Sequence, residues 1–109
     1  MSPMREPTYL ILTALAPGPR YGYAIIQDVA ELSQGSTSLL PGTLYTALDR
    51  LAAEGLVELD REERVEGRLR RYYRLTPDGV TALETETARM RRLTTAAEAR
   101  LRTLRPHTA

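Results

Sequence analysis

The chain has 109 residues, a formal net charge of +1, 42% hydrophobic residues and no cysteine. That suits one modestly cored folded domain and excludes disulfides and Cys-based metal sites. With His107 as the single histidine, neither a His-rich metal site nor a Ser-His-Asp triad can be assembled, and no cofactor is expected.

Residues 4 to 16 are apolar almost all round, with Tyr9, Leu10, Ile11, Leu12, Ala14 and Leu15. Such a helix is buried on most sides, by its own domain or by a partner. The opening also resembles a short signal peptide, ending in Ala14-Leu15-Ala16. Glu6 nearly cancels Arg5, however, and the apolar run is at the short limit of such a segment and too short to span a membrane. The expected location is the cytoplasm, with no membrane partner.

"PGPR" breaks this helix, and residues 21 to 33 then place Ile25, Ile26, Val29 and Leu32 on one face of a second. After the polar loop "QGSTS", a third helix is expected from Pro41 to Gly55, with Ser38 able to cap its start. Leu40, Leu44, Ala47, Leu48 and Leu51 form its apolar stripe; Gly42, Thr46, Asp49, Arg50 and Ala53 point the opposite way, with Thr43 and Tyr45 on the flanks. An exposed face this small and polar is not that of an ordinary solvated helix.

The period then changes to two. Val57 and Leu59 alternate with Glu58, Asp60 and Glu62; Leu69, Arg71, Tyr73 and Leu75 alternate with Arg70, Tyr72 and Arg74. Two such runs around Gly67 predict a hairpin. Arg64, Arg68, Arg70, Arg71 and Arg74 crowd its turn and second strand, with Glu66 the one acid among them. They either clamp a nucleic-acid backbone, which needs clustered rather than net charge, or pair with acids across the hairpin. If residues 62 and 68 flank the turn, Asp60 faces Arg70 and Glu62 faces Arg68. Arg68, nearest the tip, is then the foremost candidate for backbone contact.

Thr76 and Pro77 open a long final helix, expected to run to about Arg105. Leu83, Met90, Ala97 and Leu104 recur every seven residues, Val80, Thr87, Thr94 and Leu101 form a second row, and Leu93 adds to the seam. At about 1.5 Å per residue the helix is roughly 40 Å long, too long for so small a domain to cover. It packs against a second subunit or returns onto the first helix. The dimer contacts expected are Tyr9, Leu12, Leu83, Met90, Leu93, Ala97, Leu101 and Leu104.

The fold expected is therefore mainly α with a two-stranded β-hairpin wing: a winged helix-turn-helix over residues 1–76, then a dimerisation helix and tail over 77–109. In that fold the third helix enters the major groove of double-stranded DNA. Thr43, Tyr45, Thr46 and Arg50 are its natural contacts, with packing an equal role for Tyr45. Tyr21 at the start of the second helix, Ser38 and Gly42 at the start of the third, and Arg68, Arg70 and Arg71 on the wing complete the expected interface. No paired acids, activated nucleophile or phosphate-cradling glycine loop suggests an enzyme. The alternative is a protein-interaction module whose hairpin arginines are paired internally.

"YLILTALAPGPRYGYAII", "PGTLYTALDRLAAEGLVE" and "RRYYRLTPDG" together resemble the PadR family of transcriptional regulators, over roughly residues 8 to 83. The resemblance implies a homodimeric winged-helix repressor on a palindromic operator, joined through its C-terminal helices and released by a small-molecule effector. It matches Tyr21, Gly22 and Tyr23 to the motif opening helix two, and Pro41, Gly42, Thr43 and Tyr45 to the start of the recognition helix. Thr46 stands where the family often has proline. Without tryptophan or phenylalanine, an aromatic sandwich for a flat drug cannot be built from those residues. The short C-terminal segment is similar to that of the small subfamily with one dimerisation helix.

Overall fold

In the computed structural model, which describes residues 4–105, α1 (Glu6–Leu15) is the centre of the core. Leu10, Ile11, Leu12, Ala14 and Leu15 are all buried, because α2 (Gly22–Leu32), the final helix and the sheet pack on it, with α3 (Pro41–Ala53) completing the same core. Ile25 and Val29 of α2 and Leu44, Leu48 and Leu51 of α3 fill the facing positions. Each such side chain contributes about 1.5–3 kcal/mol on burial. Leu12, expected at a dimer contact, is fully enclosed here and offers no surface to a second chain. His107 lies outside the described residues.

The sheet has three strands where two were expected. Arg20–Tyr21 forms a short β1 that pairs antiparallel with β3 (Arg68–Leu75), which pairs in turn with β2 (Val57–Val65), in the order β1-β3-β2. Two residues are too few to show a period, so only the pairing reveals this strand. The hairpin register also differs from the expected one. Its turn is the two-residue pair Glu66–Gly67, at φ 52° and 79°, the left-handed geometry that two-residue hairpins favour. Val65 therefore faces Arg68, Glu63 faces Arg70, Glu62 faces Arg71 and Glu58 faces Arg74. A bulge between Leu59 and Arg61 absorbs Asp60.

Two details of α3 depart from expectation. Leu40, not Ser38, occupies the N-cap, and no side chain caps the helix. Leu40 is also 71% exposed, whereas Leu39 takes the buried position.

Helix α4 (Pro77–Arg102) begins as its sequence predicts: the Thr76 hydroxyl accepts the Gly79 N–H at 3.0 Å and donates to the Gly55 carbonyl. Its first half lies on α1. Leu83 packs on the core, and the Tyr9 and Thr87 hydroxyls are 2.7 Å apart. Glu86 is buried there, held by both nitrogens of an Arg89 fork at 2.8 and 2.7 Å and by the Met4 N–H at 3.2 Å. Residues 91–105 are exposed throughout. The radius of gyration is 17.2 Å, against about 13 Å for a compact chain of this length; the projecting end of α4 accounts for the excess. None of the described helices is long and apolar enough to cross a membrane.

The Arg89 guanidinium holds the Glu86 carboxyl below the ordinary glutamate range, against burial, which pulls it up. A carboxyl depressed by folding stabilises the protein above its unfolded pKa, and that contribution is lost as pH falls through the folded value. Thermal midpoints are therefore expected to fall below about pH 4. Glu86→Gln should lower the midpoint at neutral pH and flatten the acid-side slope; an unchanged slope would remove this group as a cause.

Candidate nucleic-acid interface

Once Leu44, Leu48 and Leu51 are buried, α3 turns Gly42, Thr43, Tyr45, Thr46, Asp49 and Arg50 outward. With no side-chain cap, the free N–H groups of its first turn remain available to an anion. Leu40, Gly42, Thr43 and Thr46 line one shallow concavity of about 530 Å³. Ser38 is exposed in the preceding loop.

Tyr45 both packs and faces solvent. Its ring lies against Gly22, where a methyl group would overlap the hydroxyl, yet the residue is 39% exposed. Arg50 is engaged within the protein: it donates to the Thr8 hydroxyl at 3.0 Å and pairs with Glu54 at 3.4 Å. Its guanidinium is thus turned towards α1, which sequence spacing alone does not reveal.

The hairpin arginines divide into three kinds. Arg71 pairs with Glu62 at 3.0 Å, and Arg74 with Glu58 and Asp60 at 3.0 and 2.7 Å. Arg61 pairs with Glu63 and Asp60 at 2.6 and 2.8 Å. Arg61 and Arg74 together hold the Asp60 carboxyl below its ordinary range, while Glu62 stabilises the charged form of Arg71. These ion pairs are exposed and solvent-screened, so their main effect is to neutralise charge along the strands. Arg71, expected on the interface, is thereby occupied, and Glu62 is its partner rather than that of Arg68.

Arg70 belongs to a stack. Its guanidinium lies 4.4 Å from the ring centre of Tyr21, Tyr21 lies 5.5 Å from Tyr72, and Arg61 covers Tyr72 at 4.0 Å. Tyr21 is also the N-cap residue of α2. The stack thus fastens the hairpin to the helical body by cation–π contacts.

Arg64 and Arg68 are the third kind. Both are exposed beside the turn, and no ion pair neutralises either among the described residues. Arg64 belongs to the arginine cluster seen in the sequence but is not among the contacts expected from it. The signal was present, since reading Glu66–Gly67 as a two-residue turn puts both arginines next to the tip.

The expected dimer seam divides similarly. Tyr9 and Leu83 are used within the chain, and Met90 is half-buried. Leu93, Leu101 and Leu104 stand 57%, 49% and 75% exposed, with Ala97 exposed between them.

The sequence profile of the transcriptional regulator PadR-like family matches residues 11–85. The chain is 49% identical over 53 residues to transcriptional regulator Rv3488 of Mycobacterium tuberculosis, covering 49% of each chain. It spans between 23% and 64% of the length of the curated relatives it matches. Among solved structures it resembles a PadR family transcription regulator from Clostridium difficile, with TM-score 0.72 and 27% identity over 89% of this chain and 99% of that one. It also resembles Bacillus subtilis PadR in complex with operator DNA, with TM-score 0.66 and 27% identity over 74% of this chain and 46% of that one.

Proposed function

The chain belongs to the transcriptional regulator PadR-like family, and on that premise we propose that it is a homodimeric repressor that binds a palindromic operator and is released by a small-molecule effector. Residues 1–76 are the DNA-binding unit and 77–109 the dimerisation helix and tail, and the protein works in the cytoplasm. Two α3 helices enter successive major grooves about 34 Å apart, and the hairpins follow the flanking backbone. An effector acts by favouring a dimer with a different helix spacing; reversing occupancy from about 1:99 to 99:1 requires roughly 5.5 kcal/mol of preference between the two states.

The observation that carries this reading is the pattern of neutralisation on the hairpin. Acids quench Arg71 and Arg74 along the strands, while Arg64 and Arg68 at the turn keep their charge. Unneutralised arginines at the tip add nothing to the hairpin's own cross-strand pairing, and they suit a surface that meets phosphates.

Fluorescence anisotropy over a salt series, with duplex from immediately upstream of the gene and a scrambled duplex, tests this. Tight, strongly salt-dependent binding to the native fragment is expected. Arg68→Ala should weaken both duplexes and reduce the salt slope by about 1 per protomer. Arg71→Ala should change the slope little. Weak binding to both duplexes, insensitive to Arg68, would favour a protein partner instead.

A further inference from the structure

Base recognition in the major groove usually falls to forked side chains: arginine on guanine, asparagine or glutamine on adenine. Helix α3 has no asparagine, glutamine or lysine. Its one arginine is held by Thr8 and Glu54, and Tyr45 lies against Gly22. Asp49 carries the same charge sign as the phosphates. What remains outward at the start of the helix is methyl and hydroxyl chemistry: Leu40, Thr43 and Thr46, three residues apart and therefore on one face. They share a concavity with Gly42, whose missing side chain opens the approach. Leu40, at 71% exposure, is the largest apolar group there.

The apolar feature that a base edge presents in the major groove is the thymine C5-methyl. Resting on the DNA-binding reading above, we propose that Leu40, flanked by Thr43 and Thr46, reads thymine methyl groups in each operator half-site. Leu40 is then a specificity residue, and its exposure in the free protein is the unfilled half of that contact. The threonine hydroxyls remain free for phosphate or either base-edge polarity. Specificity thus comes from an apolar match and close backbone approach rather than from an arginine fork.

The test uses the full chain and a duplex enriched by it from a randomised pool. That duplex is synthesised once with thymine and once with deoxyuridine, which lacks only the methyl group. Wild-type protein should bind the deoxyuridine form more weakly by about fourfold per contacted methyl. In Leu40→Ala the gap between the two forms should narrow, with an unchanged thermal midpoint because the residue is exposed. Equal binding of both forms by the wild type, or an undiminished gap in Leu40→Ala, would overturn the assignment. Failure to enrich any sequence would overturn the DNA-binding reading, and this inference with it.

Discussion

On the proposed homodimer, replacing Leu93 and Leu101 together with aspartate is expected to leave a folded monomer and to abolish tight operator binding. The reasoning starts from α4. Residues 91–105, helical to Arg102 over about 18 Å, touch no core of their own and are exposed along their whole length. An isolated helix of that size is marginal in water, so a packed partner is the natural source of its stability. Leu93, Ala97 and Leu101 succeed one another at spacings of four, which keeps them on one side of α4, and Leu104 follows just past its end. Burying each leucine contributes about 1.5–3 kcal/mol, and a two-fold pair buries each twice. Aspartate there places like charges opposite one another in an apolar seam. The monomer should keep its α1–α3 core, because neither leucine reaches it. It should nevertheless lose on the order of 10³-fold or more in affinity for a palindromic site, falling towards non-specific binding. Sedimentation velocity and anisotropy on the same samples check both halves. A variant that still sediments as a dimer would place the dimer interface elsewhere on the protein.

The second large effect concerns folding. Gly79 lies in the first turn of α4, and a methyl group on it would collide with the backbone carbonyl of Leu56. That carbonyl accepts the Thr76 N–H at 3.1 Å, and the Gly79 N–H is bonded to the Thr76 hydroxyl at 3.0 Å. The end of α3, the entry to β2 and the start of α4 therefore meet at one glycine. Relief of the collision must move backbone, since neither partner is a flexible side chain. Gly79→Ala should destabilise by about 2–4 kcal/mol, combining overpacking with loss of the cap. That lowers the thermal midpoint by roughly 10–20 °C. Gly42→Ala is the opposite case. It is helical with open space around it, so alanine should stabilise the fold by roughly 0.5–1 kcal/mol. The same methyl should weaken DNA binding if the backbone of α3 closely approaches the groove. A midpoint for Gly79→Ala within a degree or two of wild type would contradict the packing described for this junction.

Helix order, the proline and threonine that open α3 and α4, and the two alternating strands were legible from spacing and end signals, because those patterns are local. So was the family, since its three blocks stand in order along the chain. Which residues of each face remain available was not legible in the same way. Leu40 belongs by period to the buried stripe of α3, yet the chain enters the helix there and Leu39 takes the inner place. Arg50 belongs by period to the outer face, but Thr8, distant in sequence, draws it aside.

By itself, the sequence determined the kinds of element, their order and the clustering of arginine on the hairpin, all of which depend on neighbours a few residues apart. Only the tertiary structure decided that Arg20–Tyr21 is a strand, that Leu12 is core, and that Arg71 is quenched while Arg64 and Arg68 are not. Those outcomes depend on register and on contacts between distant segments. Moving a turn changes the cross-strand partners of a hairpin, so a charge pattern that is one fact in sequence has several physical meanings until the turn is placed.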